Sequence, residues 1–206
     1  MKSNLNPCFT PANEPYLGRE SLYNFDQVIL SCLQANTELL SYNKKVTKNR
    51  IQKVATQIIP PGISIALSIR ELVRQGYLFG AVILMRPLIE RAAIISYLCD
   101  NPKEIDKWEA GWKYGKRPSL LKMLTKMGSQ TDISGAKVVC ETFNHIVHGD
   151  PEGATFDLIK NKEGELGYSI SKSLNNPDLC DFICLQSYLY LIILMARMAE
   201  CFPSKN

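Results

Sequence analysis

Histidine is nearly absent from this chain: of 206 residues only two are histidine, His145 and His148. The glycine signatures of nucleotide and acyl chemistry are missing too. There is no G-x-x-x-x-G-K-[ST], no G-x-G-x-x-G after a strand and no G-x-S-x-G, which disfavours P-loop, Rossmann and hydrolase-elbow chemistry. The first residues, Met1-Lys2-Ser3-Asn4-Leu5-Asn6-Pro7, lack the apolar stretch of a secretion signal. No apolar run reaches the ~20 residues a membrane span needs. Phe182 to Met198 is broken by Gln186, Ser187 and Arg197, and Ile63 to Leu98 by Arg70, Glu71, Arg74, Arg86, Glu90 and Arg91. Both read as buried core helices, so a cytoplasmic protein with no membrane partner is expected. No repeat and no low-complexity tract is visible.

What is present fits one domain with a full hydrophobic core: 46% hydrophobic and 21% charged residues. A net charge of +4 is too mild to require nucleic acid by itself. Cys8, Cys32, Cys99, Cys140, Cys180, Cys184 and Cys201 form an odd, scattered set inside apolar surroundings. That suits reduced core thiols better than a disulfide framework. Cys180 and Cys184 have one-turn spacing but no second metal-ligating pair nearby, and neither a metal nor another cofactor is expected.

Hydrophobic periodicity predicts an all-α fold of six to eight helices in one domain over 19–203, preceded by an extended arm over 1–18. Helices are expected from Arg19 to Tyr42, Val46 to Ile59 (closed by Pro60-Pro61-Gly62), Ser64 to Gly76 and Tyr77 to Cys99. Shorter ones follow over Lys103 to Tyr114, with Trp108 and Trp112 at i, i+4, then Pro118 to Met127 and Ser134 to Val147. Alternation from Ala154 to Lys160 and from Leu166 to Ser171 predicts a β-hairpin insertion near 154–171. Asn176, Pro177 and Asp178 suit the start of a last helix running to about Cys201.

Two polar clusters stand out. Arg86 and Glu90 lie one turn apart in an apolar helix. A buried ion pair adds little net stability over apolar packing, so its presence marks a candidate polar cleft as well as an ordinary salt bridge. Glu141, Asn144, His145 and His148 form a stripe on one helix face. It fits a solvated face, a metal site using Glu141, His145 and His148, or an acid/base site that contacts phosphate. Two acid-free basic stretches bear on the last option: Lys44, Lys45, Lys48, Arg50 and Lys53, and Lys113, Lys116, Arg117, Lys122 and Lys126. Such clusters suit phosphate neutralisation or plain solvation.

The pattern Leu84-x-Arg86-Pro87-Leu88-x-Glu90, then Tyr97-Leu98, Trp108 and a late His145-x-x-His148-Gly149, resembles a bacterial all-helical family. That family carries an L-x-R-x-x-x-E helix and a later histidine, and is similar to the HEPN superfamily. Many HEPN proteins are ribonucleases of toxin–antitoxin and phage-defence systems. The resemblance spans about Ile63 to Asp150. Asn144 and His148 match the pattern R-N-x-x-x-H, with Phe143 at the arginine position. The resemblance therefore implies either a binding-only relative or a site in which Arg86 or Arg91 supplies the guanidinium. It implies metal-independent RNA cleavage with His148 as acid or base, Arg86 on the phosphate, Asn144 and Glu90 as positioning groups and His145 as a second proton carrier. A homodimer, RNA and a defence-system or antitoxin protein are the implied partners. The basic residues Lys44, Lys45, Lys48, Arg50, Lys116 and Arg117 are the candidate RNA contacts. A non-catalytic ligand- or protein-binding module is the other reading.

Overall fold

The structure is a computed structural model and describes residues 14–43, 47–113, 116–127, 133–160, 164–168 and 172–203. Among them it is predominantly helical. The α-helices are α1 (Glu20–Asn43), α2 (Arg50–Gln75), α3 (Leu78–Asp100), α4 (Ile105–Glu109), α5 (Leu120–Thr125), α6 (Ile133–His148), α7 (Pro151–Ala154) and α8 (Pro177–Cys201). Helices α2, α3 and α8 pack on one another, α1 lies against α8 and α2, and α5 and α6 cover α3.

Helix α2 departs from expectation. Pro60 and Pro61 do not close it; the helix runs through them to Gln75. Proline's fixed φ is already helical, and its cost is the lost N–H. The carbonyls deprived of donors belong to half-buried Thr56 and exposed Gln57, on the side that meets solvent. On the other side Val54, Ile58, Gly62, Ala66, Ile69 and Val73 form one buried row. Burial of that row outweighs the two missing bonds. The helix starts in a capping box: Gln52 N donates to Asn49 Oδ1 and Asn49 N to Gln52 Oε1, both at 2.9 Å. It ends at Gly76, whose φ of +82° suits glycine.

Helix α8 is long and apolar enough by length and composition to cross a membrane. In this fold it packs on α1, α2 and α3 and buries Ile183, Leu191, Leu194 and Met198. Asn176 caps it by accepting from Leu179 N, as its sequence position implies. Six of the seven cysteines lie among the described residues, and all six are free thiols. Cys8 lies outside them, as do residues 1–13 of the expected arm. Glu14 and Tyr16 are buried against the bundle.

Beneath α1 a charge cluster is sealed into the core. Arg70, 2% exposed, donates to Glu14 and Asp26. Both carboxylates chelate the same guanidinium, tying the chain preceding α1, α1 itself and α2 together. Between α6 and α8 the strand expected over 154–160 is largely helical. Pro151–Ala154 is α7, Thr155–Asp157 a 3-10 turn, and only Leu158–Lys160 pairs antiparallel with Leu166–Tyr168. Pro151 fits a helix's first turn and fixes a helical φ, which outweighs the weak alternation after it.

Candidate functional site

The candidate site lies where α3 meets the C-terminal half of α6. On α6, Ala136, Cys140, Phe143 and Ile146 recur at helical spacing and are buried. Asn144 and His148 therefore fall on an exposed face one turn apart. Phe143 is 2% exposed and belongs to the core. An arginine there would point its charge into apolar packing, so position 143 is structural in this chain.

A guanidinium reaches the stripe from α3 instead. Arg86 Nη1 donates to Asn144 Oδ1 at 2.7 Å, and Arg86 Nε donates to Glu90 Oε1 at 3.0 Å. The second carboxylate oxygen of Glu90 accepts from Arg117 Nη2 at 3.1 Å. One carboxylate thus holds two guanidinium groups, leaving the cluster net positive. Arg86 uses two of its five N–H donors on these partners, which leaves capacity for an anion. Its side chain is only 19% exposed and Glu90's is 29% exposed, so the pair sits in a partly desolvated cleft.

The two histidines have different surroundings. His145 Nδ1 lies 3.0 Å from Asp150 Oδ2 and 3.5 Å from Glu152 Oε2. That pairing depends on how α6 ends. Gly149, at φ +71°, turns the chain back, Asp150 N donates to His145 O at 3.0 Å, and α7 lies against α6. His148 is exposed and has no hydrogen-bond or ion-pair partner among the described residues. Burial raises the thiol of Cys140, one turn before Asn144, with the Arg86 charge opposing. The site therefore offers imidazoles rather than a thiolate nucleophile.

The stripe divides in the fold. Glu141 pairs with Lys137 at 3.6 Å and His145 with Asp150. Among the described residues no three His, Cys, Asp or Glu side chains converge as metal ligands. The basic stretches divide as well. Lys44 and Lys45 lie outside the described residues and Lys48 is half-buried. Arg50 is engaged by Asp106 and Glu109 of α4, acids that sequence proximity could not supply. Lys116 and Arg117 are exposed, and Arg117 joins the Arg86–Glu90 cluster.

The junction of Arg117 with Glu90 and the placement of Trp112 beside it do not follow from sequence spacing. Trp112 is not on a helix with Trp108: α4 stops at Glu109, and Trp112 has a φ of +40°. The Arg117 guanidinium lies 5.8 Å from the Trp112 ring centroid. A turn signal at Gly111 was available to separate the two tryptophans.

Comparison of the chain with family models, curated proteins and solved structures gives no match.

Proposed function

We propose that this chain is a HEPN-like RNA-cleaving protein of a bacterial defence or toxin–antitoxin system, acting in the cytoplasm as a homodimer. The observation that carries the reading is the 2.7 Å bond from Arg86 to Asn144. It supports the idea that α3 supplies the cation that the α6 motif lacks at Phe143. In this mechanism the 2′-hydroxyl of RNA attacks the adjacent phosphorus. The 2′-O–P bond forms and the P–O5′ bond breaks, giving a 2′,3′-cyclic phosphate and a free 5′-hydroxyl. His148 accepts the 2′ proton, and His145, oriented by Asp150, returns one to the leaving 5′ oxygen. The free N–H groups of Arg86 bind the phosphoryl oxygens as charge grows on them. Glu90 and Asn144 hold Arg86 in place. No metal is required.

RNA or ligand binding without cleavage is the second reading. The observation favouring it is Phe143 itself, a core residue where the resemblance puts an arginine. Incubation of mixed single-stranded and transfer RNA in EDTA with wild type, His148→Ala and Arg86→Ala separates the two. Cleavage by wild type that falls about 10²-fold in each variant is expected. Salt-sensitive RNA binding by folded protein with no cleavage would leave the binding module.

For the homodimer, α8 offers an apolar stripe of exposed residues at helical spacing, Leu185, Leu189 and Ile192.

A further inference from the structure

Beside the Arg86–Glu90 pair, a cavity of about 320 Å³ opens between α3 and the chain that follows α4. Glu90, Arg91, Trp108, Trp112 and Arg117 line it, with Pro87 and Ile94. Among the described residues, two donors here are buried without an acceptor: Arg91 Nε and Trp112 Nε1. Leaving such groups unpaired is costly, and more so when the donor is charged. Trp112 is only 8% exposed, and it sits in the left-handed region that a bulky side chain rarely adopts. Unpaired donors, a conformational outlier and a cavity at one place are the combination expected where a ligand completes the structure.

The lining defines the ligand. Arg86 and Arg117 hold the one carboxylate, Glu90, and a third guanidinium, Arg91, lines the same cavity, so the local charge favours an anion. Two indoles at the same cavity favour a planar ring, since base–aromatic stacking is largely indifferent to base identity. We infer that this cavity is a nucleotide subsite: it takes one nucleoside monophosphate unit, with its phosphate on Arg91 and Trp112 Nε1 and its base against the indole rings. On the RNA reading, which it rests on, the subsite holds the nucleotide next to the scissile bond. Glu90, neutralised by Arg86 and Arg117, faces the same space as an acceptor for an exocyclic amine.

Trp108 and Trp112 are the two tryptophans of the chain, and both line the cavity, so intrinsic fluorescence reports on it directly. The test titrates AMP, GMP, CMP and UMP into wild type, Arg91→Met and Trp112→Phe, with the matching nucleosides and inorganic phosphate as separate arms. Circular dichroism checks that each variant is folded. Saturable quenching by monophosphates is expected, at least about tenfold tighter than by nucleoside or phosphate alone. Arg91→Met should weaken it about tenfold or more. Trp112→Phe keeps the ring but loses the donor, and should weaken it as seen through Trp108. No response to any nucleotide, equal affinity for inorganic phosphate, or wild-type affinity in both folded variants would each overturn the subsite. The titration needs no turnover. A protein that cleaves RNA without binding mononucleotides loses the subsite alone, and one that binds them without cleaving loses the catalytic reading alone.

Discussion

In the proposed site, Phe143 and Arg86 divide between them the packing and the charge that the resemblance assigns to one motif position. The first fills the core face of α6, and the second crosses from α3 to meet Asn144. Restoring the motif arginine in place should therefore fail as a gain of function. Phe143→Arg removes a packed ring and places a cation where no described carboxylate waits, a loss of about 3 kcal/mol or more. The expected result is a lower Tm and a lower denaturation midpoint, with RNA cleavage no higher than wild type. A stable and more active Phe143→Arg protein would show that position 143 faces the substrate.

At the level of elements, α7 sets the histidine end of the site. A Cβ on Gly153 would lie 2.3 Å from the His145 carbonyl oxygen and 2.7 Å from the Ile146 Cα. These are backbone atoms and cannot swing aside. Gly153→Ala should push α7 off α6, costing about 1–3 kcal/mol and loosening the His145–Asp150 pair, with the His145 imidazole resonances in NMR as readout. Unchanged stability and unchanged His145 shifts would mean that α7 is not held there. Much of this level was legible in the sequence. The bounds of α1, α3, α6 and α8 follow from apolar spacing and from signals such as Asn176 and Gly149. Other features were not, because their causes are remote. The prolines of α2 are overridden by burial against α3 and α8. Arg50 is neutralised from α4, and Glu90 gains Arg117 from 27 residues away. Asn144 and Arg86 were each visible as candidates, but not that they touch.

The whole molecule is closed by charge as well as by apolar packing. Arg70 binds Glu14 and Asp26, partners 56 and 44 residues distant. Removing it strands two buried carboxylates, so Arg70→Ala should cost about 3–5 kcal/mol by denaturant titration. A loss under 1 kcal/mol would mean that water already reaches the cluster. Near the start of α8, Arg19 and Ser21 donate to Asp181 and hold its carboxyl below the usual range. A depressed folded pKa gives stability that is complete above the unfolded value of about 4 and lost as pH falls through the folded one. Asp181→Asn should therefore lower stability modestly at pH 7 and flatten the acid limb of the stability curve, the pair being partly exposed.

One cycle of variants tests most directly whether Arg86 and His148 act as a single site. The rate of single-stranded RNA cleavage in EDTA is measured for wild type, Arg86→Ala, His148→Ala and the double variant. If both groups serve one transition state, each single change costs about 10²-fold or more and the double costs little beyond the worse single. Full activity in Arg86→Ala, or no cleavage by folded wild type, would contradict the composite site.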